Sequence, residues 1–317
     1  MATSTQPIGL STPVSADHLK SGARRREIRR VLVGLAFISP WLVGLLALQV
    51  YPFFASLYYS LRSTTLLSPG HYIGLQNYRD LWNDPLFWQS LRNTFYYTSC
   101  SIVIGTVVSI SLAMLLNQRV RGMSLYRVLF YLPSIVPLAA VSVIWIWILH
   151  PTYGVVNYAL GKVGLPTVGW FSDPTWAMPG LIVVSLWGLG NAMIIYLAGL
   201  QDVPNDLYEA AQLDGANAWQ RTVNITLPLL SPVILFNVIV GLIGGFQYFV
   251  EPFVITQGGP ADSTLTYGLY LYDNAFTYFR MGYAAAMAWV LFVIIMVITA
   301  VLLKTASRWV FYQGQSN

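Results

Sequence analysis

The chain alternates between long apolar stretches and shorter polar segments. Six stretches carry no Asp, Glu, Lys or Arg, and each has the length of about 20 residues that a helix needs to cross a hydrocarbon core. They run approximately over residues 31–51, 94–116, 128–149, 176–200, 232–250 and 284–303. The pattern predicts an all-α integral membrane protein with six transmembrane helices.

The composition supports a place in the membrane, because 56% of the residues are hydrophobic and only 9% are charged. Lys and Arg concentrate in alternate polar segments, with a cluster over residues 20–30. This asymmetry predicts a multi-pass protein of the cell (inner or plasma) membrane with both termini cytoplasmic. The net charge of +5 is then an orientation signal at the anionic inner leaflet of the lipid bilayer. No nucleic-acid partner is expected.

The polar segments suggest a domain organisation. Residues 1–27 are predicted to form a disordered basic cytoplasmic tail, since their first part is rich in Ser, Thr, Pro and Gly. Residues 28–92 hold the first transmembrane helix and an outer loop, in which Leu75, Tyr78, Leu81 and Trp82 recur at helical spacing. Residues 93–304 form a five-helix core, and residues 305–317 a cytoplasmic tail.

A second outer segment, residues 251–283, contains a Gly-Gly-Pro turn followed by an aromatic-rich stretch. Tyr and Trp accumulate at the membrane–water interface of many membrane proteins. We therefore interpret most tyrosines of this segment as an aromatic belt.

The sequence contains no visible source of energy for transport. The apolar stretches lack ionisable side chains, which argues against proton or sodium coupling, and Glu251 is the nearest exception. No Gly-rich phosphate loop of the form GxxxxGK followed by Ser or Thr is present. His and Cys clusters and facing carboxylates are also missing, and Cys100 is interpreted as a small apolar filler. The chain is predicted to be a transport subunit and not an enzyme, with no catalytic residue, metal or cofactor of its own.

The polar segment 203–228 contains a predicted short helix over about residues 206–214. Asn205 or Asp206 can serve as its N-cap, and Asp206 with Glu209 has the spacing of a capping box. Gly215 is placed to take the left-handed conformation that ends a helix.

A second short helix is predicted in the same segment, over the sequence AWQRTVNI. Pro228 and Pro232 are expected to mark its end and the entry to the fifth span. The residues alone leave two interpretations open, an ordinary loop helix at the inner interface or an element that docks a partner protein.

A resemblance to a known family favours the second interpretation. The segment matches, without a gap, the EAA signature of permease subunits in binding-protein-dependent ABC importers of the MetI-like type I family, in the order Glu209, Ala210, Ala211, Gly215, Ile225, Leu227, Pro228. Its surroundings resemble the carbohydrate branch. The sequence VITQGGP is similar to a segment of maltose-permease (MalF-type) and glycerol-phosphate (UgpA-type) subunits. The resemblance extends from about residue 93 to residue 303, and the first span also fits.

The resemblance implies a type I ABC importer permease fold in which the EAA helix is a coupling helix that docks on an ATP-binding subunit. Glu209 would make polar contacts there, Ala210 and Ala211 would permit close packing, and Gly215 would fix the turn. Asp214 completes the implied ATPase-coupling set. The implied partners are a second, different (MalG-like) permease, a dimer of ATP-binding subunits that hold ATP and Mg, and an extracytoplasmic solute-binding protein.

The resemblance also places solute contacts on the fourth and fifth spans. The positions that correspond to them in this sequence are Trp187, Gly188, Asn191, Gly241, Gly244, Gly245, Gln247, Tyr248 and Glu251. Aromatic faces stack on sugar rings, amides bind hydroxyls, and glycines leave room. Helix packing is the alternative for these residues, and for Trp187 it is the favoured one.

The spans contain no Lys or Arg that could bind a phosphate, so a neutral mono- or oligosaccharide is favoured over glycerol 3-phosphate. Two other classes of protein stay open as alternatives. They are a non-transporting membrane scaffold or receptor subunit, and a secondary transporter.

Overall fold

The computed structural model describes residues 16–65, 68, 70–118 and 120–311. It divides into two units, Met1–Tyr58 and Tyr59–Asn317. The first unit contains helix α1 (Ala16–Leu45), a π-helical turn and most of α2 (Tyr51–Ser60). Residues 16–27 are therefore helical, which differs from the predicted disordered tail, and residues 1–15 lie outside the described residues. Ala, Leu, Glu and Arg are good helix formers, so the helix extends ahead of its apolar stretch.

The described part of the second unit is built from helices α3 to α14. Their bounds are α3 (Gln76–Asn83), α4 (Pro85–Leu116), α5 (Met123–Tyr131), α6 (Leu138–Ile148), α7 (Val155–Lys162), α8 (Pro174–Ser185), α9 (Gly190–Gln201), α10 (Asn205–Leu213), α11 (Ala218–Arg221), α12 (Leu227–Phe246), α13 (Tyr267–Tyr272) and α14 (Met281–Ala306).

Helix α4 begins further towards the outer loop than the apolar pattern predicts. It starts at Pro85 and not near residue 93 or 94, where the second span and the core were expected to begin. Asp84 caps it, since its Oδ1 accepts a hydrogen bond of 2.9 Å from the amide of Leu86, and proline is favoured in the first helical turn. The preceding α3 confirms the short helix predicted in this loop.

Helix α4 is the centre of the second unit, because two buried clusters meet on it. Towards its C-terminus it packs on α9 and α12 through Ile110, Ala113, Leu116, Met193, Tyr196 and Leu230. Towards its N-terminus it packs on α12, α13 and α14 through Phe87, Phe246, Tyr267 and Met287. A side chain on α4 therefore faces several other helices at once.

Two of the predicted spans are bent pairs of helices. The segment Met123–Ile135 meets α6 at 99°, where Val136 is extended ahead of Pro137 because a residue before proline is disfavoured in the helical region. The segment Pro174–Gly188 meets α9 at 51°. At this second break a Cβ on Gly190 would lie 2.8 Å from the Ser134 Oγ, so glycine permits the close contact between the two breaks.

Four helices of the described residues are long and apolar enough to cross a membrane, or up to six if each bent pair forms one span. The prediction of an all-α protein with several apolar spans is confirmed. The sequence did not predict the two breaks, because a bent span and a straight one can be equally apolar.

The C-terminal segment also differs from its prediction. Helix α14 continues to Ala306, so the tail predicted at residues 305–317 begins inside a helix. Val310 is buried against Leu235 of α12, and the amide of Phe311 donates a hydrogen bond of 2.8 Å to the Ser231 hydroxyl. The described part of this segment is thus packed on α12.

The tyrosines of the outer segment are more buried than a belt would require. Tyr267, Tyr270 and Tyr283 are buried. The hydroxyls of Tyr270 and Tyr283 each donate to the Asp84 Oδ2 at 2.5 Å, and the Tyr267 hydroxyl donates to the Met287 carbonyl at 2.8 Å. The belt interpretation is wrong for these three residues, which connect α4, α13 and α14.

Asp84 is therefore the common acceptor of an outer clamp, which we define as Asp84, Tyr270 and Tyr283. Burial alone would raise the pKa of Asp84, but the hydrogen bonds from the two tyrosines and from backbone amides lower the pKa below its usual range. Burial and the contact with the carboxylate raise the pKa of Tyr270 to about 12. The clamp holds a carboxylate between two neutral phenols.

Candidate functional site

Helix α10, the predicted coupling helix, presents most of its side chains to solvent. None of its residues is buried; Glu209 and Ala210 are exposed, and Ala211 is half-buried. Leu213 at its end is 90% exposed, and Trp219 on α11 is 74% exposed. Both side chains are uncovered in this chain alone, as are many large apolar side chains on its spans.

The C-terminus of α10 is fixed by Gly215. Its φ of +79° lies in the left-handed region, its amide donates to the Gln212 carbonyl at 3.1 Å, and the amide of Ala216 donates to the Ala211 carbonyl at 2.9 Å. These two bonds form a Schellman motif, with the exposed Asp214 as the C-cap. The role predicted for Gly215 in ending the helix is confirmed. A Cβ there would meet no atom within 4 Å, so only the backbone conformation requires glycine.

The N-terminus of α10 differs from the prediction. The N-cap is Pro204, and no side chain caps the helix. Because Pro204 precedes the first turn with a fixed φ, Asn205 and Asp206 already lie inside the helix and do not cap it. The capping box with Glu209 is therefore wrong.

A capping box is present in the next helix instead. The Asn217 side chain accepts from the Gln220 amide at 2.9 Å, and the Gln220 side chain accepts from the Asn217 amide at 2.8 Å. This box fixes the start of α11 directly after the turn at Gly215.

The segment after the turn continues into the fifth span without interruption. Residues Ala218–Phe246 form one continuous helix, with a π-helical turn at Thr222–Thr226. The predicted end at Pro228 is wrong, because Pro228 lies inside this continuous helix, directly after the π-helical turn. The predicted residues Ile225, Leu227 and Pro228 are half-buried in this continuous helix.

Helix α10 is joined to this continuous helix by a side-chain contact. The hydroxyls of Tyr208 and Thr226 form a hydrogen bond of 2.9 Å. Leu227, directly after Thr226, packs against the buried cluster between α4 and α9. Tyr208 and Leu227 thus connect α10 to α12 and to the helices around it.

A cavity of about 660 Å³ lies among α4, α6, α9 and α12. The residues around both helix breaks line it, so the irregular backbone faces this space, as is expected for non-helical backbone at membrane depth. Its volume is in the range of small-molecule sites, roughly 300–1,000 Å³. All nine residues predicted for the substrate pathway line it: Trp187, Gly188, Asn191, Gly241, Gly244, Gly245, Gln247, Tyr248 and Glu251. Their contact with a solute stays a prediction.

The lining glycines fall into two kinds. A Cβ on Gly244 or Gly188 would meet no atom within 4 Å, so both leave open space in the cavity. A Cβ on Gly245 would lie 2.7 Å from the Thr98 side chain, so Gly245 serves helix packing. Trp187 also has a packing contact, edge to face with Trp145 at 5.7 Å between ring centroids.

Two aromatic rings form one wall of the cavity. Tyr97 of α4 stacks on Tyr248 with ring centroids 3.8 Å apart, and both are buried. Glu251 is also buried and lines the same cavity. The sequence pattern did not single out Tyr97, since one tyrosine in an apolar stretch is more often a packing residue.

The sequence analysis also did not single out a group of hydroxyls in the lining of this cavity, which we call the hydroxyl row. It comprises Thr98, Ser101 and Ser109 of α4 with Tyr196 of α9, and all four line the cavity. Their side-chain oxygens are buried and have no hydrogen-bond partner among the described residues. The Thr106 side chain lies near the Tyr196 hydroxyl but not in hydrogen-bond geometry. A buried polar group without a partner costs about 1–3 kcal/mol, so these oxygens, like the Tyr248 hydroxyl in the same lining, are uncompensated groups of the cavity.

Comparison with known proteins decides which family this architecture represents. Residues 101–310 match the family described as the inner-membrane component of binding-protein-dependent transport systems. The chain belongs to this family. The resemblance to permeases of binding-protein-dependent ABC importers is thereby confirmed, and the matched residues include α10, α12 and the C-terminal half of α4.

Relatives of this permease family match nearly the whole chain. The Probable ABC transporter permease protein YesP of Bacillus subtilis (strain 168) is 42% identical over 308 residues, which cover 95% of this chain and 98% of the relative. The Lactose transport system permease protein LacF of Rhizobium radiobacter is 38% identical over 275 residues, covering 84% and 91%.

A solved structure supports the type I ABC permease fold. It is a bacterial ABC transporter involved in the import of the acidic polysaccharide alginate, with a TM-score of 0.78 and 25% identity, covering 90% of this chain and 99% of the other. The permease is thus a multi-pass membrane protein. Among its described residues, no group of His, Cys, Asp and Glu could hold a metal ion.

Proposed function

We propose that this permease forms, with a second permease, the membrane pathway of an ABC importer for a neutral mono- or oligosaccharide. A solute-binding protein delivers the sugar, and separate ATPase subunits hold ATP and Mg. The observation that carries the proposal is the cavity. Its lining contains all nine residues that were predicted for the substrate pathway on two different spans. The relative named for lactose transport agrees with the substrate class.

The lining of the cavity favours a neutral sugar over an anion. Glu251 is the ionisable carboxyl in the lining, which contains no Lys, Arg or His. A phosphate or a uronate in this space would meet no cation, whereas stacked tyrosines, hydroxyls and amides suit a sugar. The family includes a transporter of an acidic polysaccharide, so family membership alone does not select neutrality. The same lining makes the glycerol-3-phosphate alternative the weaker one.

In the proposed arrangement each bent pair forms one span, which gives six spans with both termini cytoplasmic. Helix α10 then faces the cytoplasm, where its exposed Glu209 and Ala210 dock on an ATPase subunit. The exposed Leu213 and Trp219 extend the apolar contact. The Schellman turn at Gly215 sets the direction of α10 relative to α11.

The coupling path in this proposal runs from α10 to the cavity. The Tyr208–Thr226 hydrogen bond and the continuous Ala218–Phe246 helix link the docking surface to Gly244 and its neighbours in the lining. ATP-driven movement of α10 would tilt α12 and change access to the cavity. A type I importer needs such a lever, because its permease carries no ATPase chemistry.

Reconstitution of the permease with its co-purifying subunits tests the proposal. Thermal shifts of the co-purified binding protein identify its sugar from lactose, maltose, trehalose and an alginate oligosaccharide. We expect a neutral sugar to stimulate ATP hydrolysis and to accumulate in proteoliposomes. An assembly that hydrolyses ATP without regard to any solute would overturn it in favour of a scaffold, and uptake abolished by ionophores with ATP present would indicate a secondary transporter.

A further inference from the structure

We propose that the side chain of Asn237 on α12 binds a hydroxyl of the sugar in the cavity and selects solutes that carry this hydroxyl. The inference rests on the proposed function and deepens it, because it names a further residue that determines the specificity of the same cavity. Asn237 lines the cavity. It is not one of the nine positions that the family resemblance assigned to the substrate pathway.

The first argument is the place of Asn237 in its helix. Helix α12 (Leu227–Phe246) contains one amide side chain, Asn237, and one hydroxyl, Ser231, among apolar residues. A polar side chain in a membrane span is costly unless it faces a cavity or a polar partner. Among the described residues of α12 that line the cavity, Asn237 lies nearest to α10 along the helix.

The second argument is the orientation of the amide. The Asn237 Nδ2 donates a hydrogen bond of 3.0 Å to the Val233 carbonyl, one helical turn earlier. A carbonyl can only accept, so this bond fixes which end of the amide is the nitrogen. The Asn237 Oδ1 accepts no hydrogen bond from the described residues. A fixed acceptor is therefore available at this position of the lining.

A second asparagine shows that the Asn237 oxygen is open to the cavity. Asn274 makes the same kind of bond, from its Nδ2 to the Tyr270 carbonyl at 2.9 Å. Asn274 is 0% exposed, and its Oδ1 is buried without a partner, as are the oxygens of the hydroxyl row. Asn237 is half-buried, and its Oδ1 does not belong to these buried oxygens. A molecule in the cavity can therefore reach the Asn237 oxygen but not the hydroxyl row.

The third argument is the open face of α12 beside Asn237. Residues 237, 241 and 244 follow each other at four and three positions and so lie on one face of the helix. A Cβ on Gly244 would meet no atom within 4 Å, and one on Gly241 would meet none closer than 3.5 Å. From Gly244 to Asn237 the helix extends about 10 Å. A sugar that moves along this face towards α10 passes two glycines and then meets the Asn237 amide.

The chemistry of the contact suits a neutral sugar. The Asn237 Oδ1 is an acceptor, so it pairs with a sugar hydroxyl that donates, whereas an ionised carboxylate or phosphate offers it no donor. A site that hydrogen-bonds a solute hydroxyl rejects the analogue that lacks it, because the polar group of the site is then left unpaired. Asn237 would thus read one hydroxyl in a cavity whose aromatic wall suits the sugar ring.

A double-substitution cycle in the full reconstituted importer tests the contact. Asn237→Leu removes the amide, and the solutes are the sugar that the binding protein accepts among lactose, maltose and trehalose, together with its monodeoxy derivatives. We expect Asn237→Leu to import the parent sugar about fivefold more slowly than wild type, as the loss of one net hydrogen bond implies. For one derivative this difference should disappear, since the hydroxyl that Asn237 binds is already missing. Discrimination by the binding protein is the same for both permeases and cancels in the comparison.

The matched control is Ser111→Ala. It removes a hydroxyl of α4 that donates to the Val107 carbonyl and lies outside the described lining, so it should import every solute as wild type does. Asn237→Ala gives the same readout if Asn237→Leu does not assemble.

Three results would overturn the proposal. If Asn237→Leu or Asn237→Ala slows every derivative by the same factor as the parent sugar, Asn237 binds no solute hydroxyl. If both variants fail to assemble with the second permease, the Asn237 amide serves the contact between the permeases, since asparagine also joins helices in membranes. Either result leaves the proposed function intact. A wild-type importer that accepts no neutral sugar would overturn both.

Discussion

The loop around α10 and the cavity beside α4 are built in opposite ways. Around α10 the backbone is satisfied by a Schellman turn and a capping box, while the apolar side chains of Leu213 and Trp219 are exposed. Beside α4 the hydroxyls of Thr98, Ser109 and Tyr196 are buried and unpaired. Around α10 the backbone hydrogen bonds are satisfied but apolar surface is exposed. Beside α4 the side chains are packed but polar groups lack hydrogen-bond partners.

The difference indicates which kind of molecule completes each region. Uncovered apolar surface is stabilised by contact with another protein, whereas a buried hydroxyl is stabilised by a hydrogen-bond partner, which the described residues do not supply to these three side chains. The two regions are joined through Tyr208, Thr226 and α12. The account therefore requires that each region can be disabled while the other keeps its own activity.

The largest effect is expected from filling the cavity. Gly244→Trp places a bulky ring in space that is open around the Cβ. Sugar uptake should fall to the background of empty proteoliposomes, while assembly and stimulated ATP hydrolysis persist. Gly161→Trp, also at an open glycine but outside the cavity, is the control and should transport normally. Normal uptake by Gly244→Trp would show that the solute takes another route.

A glycine in the same wall gives a contrasting result. Gly245→Ala brings a Cβ to within 2.7 Å of Thr98. It should lower the yield and thermal stability of the assembly, as overpacking by about 1–3 kcal/mol implies. Equal stability of Gly245→Ala and wild type, measured by fluorescence-detected size exclusion after heating, would contradict the assigned packing.

The next largest effect is expected from a substitution of Gly215, in the turn that ends α10. Gly215→Asp adds a Cβ in the left-handed region and places a carboxylate at the C-terminus of α10 beside Asp214, where the helix dipole disfavours negative charge, at a combined cost of about 1–2 kcal/mol. Solute-stimulated ATPase activity should therefore fall roughly tenfold. Gly215→Asn is the milder control, because asparagine is the other residue that commonly ends a helix in this way. Equal stimulation in Gly215→Asp, Gly215→Asn and wild type would refute the role of the turn.

The outer clamp gives a smaller effect on stability. Asp84→Asn weakens the hydrogen bonds from Tyr270 and Tyr283, which should cost about 1–2 kcal/mol after allowance for partial exposure. Since the folded pKa is lowered, the stabilisation is present above the unfolded pKa of about 3.9 and is lost as the pH falls through the folded value. Thermal melts of wild type should therefore decline below about pH 4, and those of Asp84→Asn should decline less. Parallel pH profiles would contradict the clamp.

The smallest effect is expected at Glu209. Its side chain is exposed, so Glu209→Gln should leave stability unchanged. Loss of an exposed charge is worth about 0.2–1 kcal/mol, which predicts a two- to threefold weaker ATPase stimulation. A larger defect than that of Gly215→Asp would mean that polar contact and not helix direction governs coupling.

The sequence predicted those features that depend on a few neighbouring residues or on a recognisable motif. Gly215 could be predicted because a helix end needs a left-handed residue within a few positions, and the cavity positions could be carried over from a matching EAA spacing. The bend at Pro137 could not, since hydropathy does not distinguish a bent span from a straight one.

The hydroxyl row escaped prediction because a serine in a helix usually pairs with its own backbone. Only packing shows that Ser111 does so and Ser109 does not. The spacing of residues 98, 101, 105 and 109 was the available signal. At Pro204 the proline itself takes the N-cap position, so cap propensity at Asn205 and Asp206 gave the wrong start for α10.

The most direct test of the account measures sugar molecules imported and ATP molecules hydrolysed in the same proteoliposomes, for wild type, Gly244→Trp and Gly215→Asp. The account predicts that Gly244→Trp keeps solute-stimulated ATP hydrolysis and imports nothing, and that Gly215→Asp loses the stimulation itself. A constant ratio of uptake to hydrolysis across all three proteins would show that the cavity and the α10 loop are not separate functional regions, and would contradict the account.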